Sequence, residues 1–433
     1  MQPFPLLILF ASASLALAEN WPQWRGPRAD GTSHDAGFPV ALEPDKALWK
    51  TPLPGAGHAS PIIWGDRIFT VAAVEESSER VLLCINRQNG AILWQKAVIK
   101  SPMEKKHGLN SHASSTPATD GTSVFTSFLD LTRTADQAPV GTGHKNDGGT
   151  ASVGEPVISA HDFSGNLIWQ KHIGRFSSKH GYCSSPILYK DKVIVNCDHD
   201  GDGYIVALAK NDGHELWRID RPNKTRSYVA PIIREVAGKT QMVLSGSMCV
   251  TSYNPDNGQL WWMMDGPTEQ FVASLVYSEK THYFYLTGGF PQHHVLAIDP
   301  SGSGNVTQTN VVWHTNKGAA YVPSPIIQDS WFMVVSDSGI AHCFDAQSGK
   351  LDWTERFGEQ HCSLVSADDK VWFINDQGVT RVVKPGDQYQ LVTESQVGEK
   401  VFASPALSEG QMIIRGDKTL FCFGERHSVT AAR

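Results

Sequence analysis

The chain contains no H-E-x-x-H, C-x-x-C, G-x-S-x-G or P-loop pattern, and no two cysteines are adjacent. The missing patterns exclude a zincin protease, a thioredoxin-type redox centre, a nucleophile elbow and a phosphate-cradling nucleotide loop. The glycines of "GTGHKNDGG" (141–149) have no strand before them and no helix after, so they are not such a loop. Basic residues are in deficit: the net charge is −7, so there is no basic stripe for nucleic acid or an anionic membrane. No acid/base carboxylate pair stands out. Long apolar runs are missing beyond "PLLILFASASLALA" (5–18), so no membrane span is expected. That run ends in Ala16-Leu17-Ala18 and reads as a signal peptide over 1–18, although "MQPFP" before it has no Lys or Arg. No Cys follows it to carry a lipid anchor. The mature chain is expected to be exported, periplasmic or extracellular, and monomeric.

Cysteine is also sparse. The seven residues are an odd number, and most lie in apolar runs such as "VLLCIN" and "LFCFG", where Cys acts as a small buried hydrophobe. Only Cys183 and Cys197 could meet, across a hairpin turning near Lys190-Asp191.

What is abundant is repetition. "NGAILWQK" (89–96), "SGNLIWQK" (164–171), "DGHELWRI" (212–219), "NGQLWWMM" (257–264) and "SGKLDWTE" (348–355) each place Trp four residues after Gly. Around each lies a longer unit, clearest in "CSSPILYKDKVIVNCDHDGDGYIVALAKNDGHELWRID" (183–220). Its short, β-branched-rich runs are bounded by Lys-Asp and Asp-Gly turns and predict four strands. The opening position recurs at Pro61, Pro117, Pro186, Pro231, Leu275, Pro325, Leu364 and Pro405, mostly about 40–50 residues apart, which is the period of propeller blades. The closing Trp recurs at 94, 169, 217, 262, 313 and 353, with Gln390-Leu391 in the seventh unit. The eighth unit has three strands, and "KALWKTP" (46–52) carries Trp49 at the other end of the chain to supply the fourth. The expectation is an all-β, eight-bladed propeller of four-stranded antiparallel blades over 46–425, its ring closed by the N-terminal strand. An extended segment (19–45) precedes it and a tail (426–433) follows. The Gly allows a φ > 0 turn, and the Trp fills the space between blades while its N–H finds an acceptor.

The phrases "INRQNGAILW", "AHDFSGNLIW", "AKNDGHELW", "YNPDNGQLW" and "FDAQSGKLDW" resemble the pyrroloquinoline-quinone (PQQ)-type propeller repeat. "NWPQWRGPRADGTS" (20–33) resembles the mature N-terminus of exported bacterial proteins of that kind. The group includes the propeller lipoprotein that assists outer-membrane protein assembly, whose surface docks a partner, and the quinoprotein dehydrogenases. The first implies a binding scaffold; the second implies PQQ with calcium, held beneath a vicinal cysteine disulfide that this chain lacks. Fold alone does not select between them.

Two sets of residues could carry function. In "DHDGDG" (198–203), Asp198, Asp200 and Asp202 alternate like the start of a calcium loop, but Ala209 stands where a bidentate Glu is needed. A polar hairpin is the simpler reading. His293-His294 are adjacent, hence on opposite strand faces, and do not share a metal. The second set lies just before the blade openings: His58, His112, Tyr182, Tyr228, Phe271, Tyr321, His361 and Phe402, with His107, His180, Arg226, Glu269, Glu359 and Lys400 close by. First strands line a propeller's channel, so these side chains are expected to ring one mouth, where propellers commonly bind. Blade two carries an insertion, 131–154, poor in large apolar residues and read as an extended surface loop. The expected function is an exported scaffold presenting this mouth to a protein or small ligand, with no cofactor. The alternatives are a PQQ-dependent oxidoreductase and an envelope enzyme acting on polysaccharide.

Overall fold

The computed structural model describes residues 18–133 and 151–426. All but the last residue of the expected signal peptide, the glycine-rich stretch 141–149 and the tail beyond 426 lie outside the described residues. Eight antiparallel sheets follow one another around a ring. Each opening position named above stands one residue before an innermost strand, from Pro61 before Ile62–Trp64 to Pro405 before Ala406–Ser408. Blade three is the regular case, built from Ile187–Tyr189, Lys192–Cys197, Tyr204–Ala209 and Glu215–Asp220. Its two middle strands are buried on both faces because a neighbouring blade covers each, whereas the outer strand alternates toward solvent. Blade eight closes as expected: Trp49–Pro52 pairs with Thr419–Phe423, Trp49 opposite Cys422. An open ring would leave two unpaired sheet edges here. No helix among the described residues is long and apolar enough to cross a membrane.

Two blades depart from the four-strand unit. In blade two the strand Ser152–Asp162 begins inside the expected loop, and its first residues pair with Phe176–Ser178, so 152–154 are strand. In blade four the outer strand Leu260–Asp265 gains a parallel partner, Gly304–Asn305, from the next blade. The Cys183–Cys197 bridge does not form: all seven cysteines are free. The hairpin ladder starts only at Ile187, leaving Cys183 in the loop ahead of it, while Cys197 sits opposite Tyr204 in the blade core.

The Gly–Trp spacing belongs to the junctions between blades. The Nε1 of Trp49, Trp94, Trp169, Trp217, Trp313 and Trp353 donates to a carbonyl of the following blade: Arg87, Phe163, Lys210, Pro255, Ala346 and Gly386 respectively. In the first five of these joints the repeat Gly (Gly90, Gly165, Gly213, Gly258 or Gly349) lies just beyond that carbonyl and against the indole it serves; for Trp353 the carbonyl is that of Gly386, where a Cβ would meet no indole. At Gly213 (φ 72°) a Cβ would fall 2.5 Å from the Trp169 ring, and at Gly90 (φ 75°) 2.5 Å from Trp49. Glycine is therefore needed twice, for the turn and for the approach of the ring. Blade four differs again. Trp262 donates to Gln241 Oε1, and Gln241 Nε2 donates onward to Pro300 O, so a buried glutamine relays the same link.

Candidate functional site

Inside the ring, the residue before each opening position forms a belt. The backbone N–H of Ser60 donates to Thr116 Oγ1, Thr116 to Ser185 Oγ, Ser274 to Ser324 Oγ, Ser324 to Ser363 Oγ, Ser363 to Ser404 Oγ, and Ser404 to Ser60 Oγ. Only Ala230 lacks the hydroxyl, and the belt is interrupted there.

Below the belt the channel is closed by the N-terminal segment. Trp21 bridges Ile63 in both directions, Pro22 O accepts from Thr119 N, and Gln23 Oε1 accepts from Leu188 N. Trp24 Nε1 donates to Ser274 Oγ at 3.1 Å. The buried Arg25 guanidinium donates to Leu364 O, Asp30 O and Pro325 O. Asp30 pairs with Arg234 at 2.7 Å, Thr32 bridges Ser366, and Glu19 and Asp35 reach Ser408 and Glu409. Residues 19–35 thus hydrogen-bond to all eight blades. Burial lowers the Arg25 pKa to about 10, with Asp30 countering it, and the group stays charged at neutral pH.

Above the belt lies a cavity of about 330 Å³ with Trp24 as its floor. His58, His180, Tyr228, Tyr321 and His361 line it, as do His107 and Phe402. His58 stacks on Phe402, centroids 4.8 Å apart, and His180 on Tyr228 at 6.2 Å. Seven of the fourteen residues expected around the mouth do not line the cavity: His112, Tyr182, Phe271, Arg226, Glu269, Glu359 and Lys400. His112 is held between Glu104 O and the Glu75 carboxylate. Tyr182 is buried with its hydroxyl 2.5 Å from Ser127 Oγ, and Arg226 is buried against Asp200 at 2.8 Å. Nor do the "DHDGDG" carboxylates converge. Asp198 pairs with Arg221, Asp200 with Arg226 and Asp202 with Lys224. Among the described residues no group of three His, Cys, Asp or Glu side chains is arranged to hold a metal. His294 Nδ1 meets His314 Nε2 at 2.9 Å, with no third ligand.

Asp337 and Trp24 also line the cavity without having been picked out by the sequence reading, as does Cys183, weighed there only for a disulfide. Asp337 accepts from the backbone N–H of Tyr321 and Val322, and lies 3.9 Å from His361 Nε2. His361 Nδ1 is 2.7 Å from Asp376 Oδ2. Burial opposes charge on His361, yet the Asp376 hydrogen bond and the Asp376, Asp337 and Glu359 charges raise its pKa above the ordinary value. His58 goes the other way, lowered to about 4 by burial and the nearby Arg415. Burial pushes the Cys183 thiol up to about 12, so it is no nucleophile at neutral pH.

A family model described as outer membrane protein assembly factor BamB matches residues 110–355. The chain belongs to this family. Among its relatives is the outer membrane protein assembly factor BamB of Bordetella pertussis (strain Tohama I), 26% identical over 234 residues. That match covers 50% of this chain and 58% of the relative, so the chain spans little more than half of the length of that BamB. Solved structures of similar shape include BamB from Moraxella catarrhalis, with a TM-score of 0.57, 12% identity and coverage of 87% of this chain and 98% of that one. The quinohemoprotein alcohol dehydrogenase of Comamonas testosteroni gives 0.62, 12%, 96% and 82%. At such identity the two structures share the fold with this chain and carry nothing about its chemistry.

Proposed function

We propose that this chain is an exported binding propeller of the cell envelope that receives a partner at one mouth of its channel. The observation that carries the reading is the blind funnel. Side chains from separate blades converge on one cavity that Trp24 closes from below, so the channel offers a binding end and no passage. The name of the Bordetella relative supports a place in outer membrane assembly. The test replaces His58, Tyr321 and His361 together with Ala in the mature protein. Loss of a co-purifying envelope partner at an unchanged melting temperature supports the reading; retention of the partner overturns it. Arg226 is left intact because its removal would strand Asp200 in a buried site.

The quinoprotein reading finds less support. PQQ is a planar tricarboxylic acid, and the cavity offers it the Asp337 carboxylate, with no Lys or Arg among its lining residues and with His361 already paired to Asp376. No described group of three ligands suits calcium, and no adjacent cysteines exist. These residues do not fit the group. A Ca²⁺-dependent, saturable rise in melting temperature and visible absorbance on adding PQQ would reverse that conclusion.

A further inference from the structure

The chemistry of the funnel narrows what can occupy it, an inference that rests on the binding reading above. Ser185, Ser324, Ser363 and Ser404 line the cavity, and each hydroxyl already accepts a backbone N–H from the blade before it. A hydroxyl has one proton and two lone pairs, so Ser185, Ser324 and Ser363 keep a proton to donate, while that of Ser404 is shared with the buried Cys362 sulfur. The floor is thus rich in O–H donors. Trp24 has its N–H engaged by Ser274 and offers ring surface, to which Tyr228, Tyr321 and Phe402 add apolar area around the wall. Near the mouth the order reverses. Asp337 is an acceptor with lone pairs beyond the two backbone N–H bonds it receives, and His361 stands beside it.

An anion would meet the Asp337 carboxylate with no Lys or Arg on the lining, and His361, whose charge is favoured, is already paired to Asp376 and faces Asp337, so an anion is unfavourable in a partly desolvated site. An ammonium ion would bring donors to a floor that has donors to give. A molecule that both gives and accepts at each polar group, and has apolar ring faces between them, satisfies floor, wall and mouth together. A pyranose ring is such a molecule, and about 330 Å³ is room for a mono- or disaccharide unit at the small end of ligand sites. We propose that the funnel binds a neutral carbohydrate, its hydroxyls on the serine belt and on Asp337 and its ring faces on the aromatic wall. The sugar could be free or the end of a glycan chain.

The test titrates the intact mature protein with glucose, maltose, cellobiose and a neutral hexasaccharide, following tryptophan fluorescence and melting temperature. Tetramethylammonium and citrate serve as charged controls. The expected result is saturable binding of at least one sugar with a rise in melting temperature. Tyr321→Ala or Phe402→Ala should weaken it on the order of tenfold, as expected for loss of an aromatic platform. Asp337→Asn should weaken it less. If Tyr321→Ala fails to fold, Tyr321→Phe keeps the ring and should retain binding. Binding of the hexasaccharide as tight as that of maltose or cellobiose identifies a chain end; binding confined to the small sugars identifies a free saccharide. No saturable response to any sugar, or tighter binding of either charged control, overturns the proposal. Partner retention in the same preparations keeps the two readings apart: a partner still held at the mouth while every sugar fails sinks the carbohydrate alone.

Discussion

At its closed end the channel meets one segment, residues 19–35, hydrogen-bonded to every blade; at its open end it meets separate loops, each from a different blade. Both ends belong to the same eight repeats. The closed end uses mainly the backbone groups of the inner strands and their flanks, at Ile63, Thr119, Leu188, Pro325, Leu364, Ser366 and Glu409, with the side chains of Arg234, Ser274 and Ser408 filling in, so one chain segment can satisfy all eight blades. The open end uses what they do not share: His58, His180, Tyr228, Tyr321, His361 and Phe402 occupy related places with different chemistry. Stability is expected to concentrate at the first end and recognition at the second.

The contrast can be broken hardest at Arg25. Arg25→Met leaves carbonyls of Leu364, Asp30 and Pro325 without a donor in a fully buried site and should cost about 3–5 kcal/mol. Urea denaturation would measure it, and a loss under about 1 kcal/mol would mean the segment is only draped on the ring.

Next comes acid. Between pH 6.5 and 4 the unfolded chain binds a proton at His58 that the folded chain refuses, so stability falls on acidification, by up to about 3 kcal/mol from this group. His58→Gln should flatten the curve in that window. His361 has the opposite sign. Its raised pKa adds stability that is full below 6.5 and is lost as pH rises through the folded value, so His361→Gln should remove a gain seen only on the acid side. Melting curves from pH 4 to 8 would separate the two.

The junctions are sharpened by a pair of glycines with nearly the same φ. Gly213→Ala forces a Cβ into Trp169 and should cost about 2–3 kcal/mol, whereas Gly238→Ala, with φ 73° and open space around it, should cost about 1 kcal/mol from the backbone alone. Equal losses would refute the packing role of the repeat Gly. Smallest of all is Tyr321→Phe, which removes a single 3.2 Å hydrogen bond to Gln270 and should shift stability by under about 1 kcal/mol.

The blade plan was legible because each turn and strand start is local: Pro61, Leu275 and Leu364 mark inner strands as clearly as their spacing suggested. Trp49 could be assigned to the last blade because an unfinished sheet at one end of a chain needs a strand from the other. Only part of the mouth was legible. Position before an opening brings a residue to the channel, but its rotamer decides whether it faces inward. Tyr182 turned to Ser127 and Arg226 to Asp200, partners that lie far off in sequence. The closing role of 19–35 was hidden for the same reason, since its bonds go to residues up to 389 positions away. Asp337 escaped notice because it sits in a hairpin of the sixth blade, after the inner strand, outside the position being compared.

The Gly–Trp contact carries a consequence for how such rings change size. Units one to three each bring a glycine for the indole behind and an indole for the glycine ahead, so such a unit can be duplicated or deleted with its joints intact. Nothing in those joints counts to eight. The segment 19–35 does, because it is cut to the circumference it spans, and a ring that gained a blade would keep its walls and lose its floor.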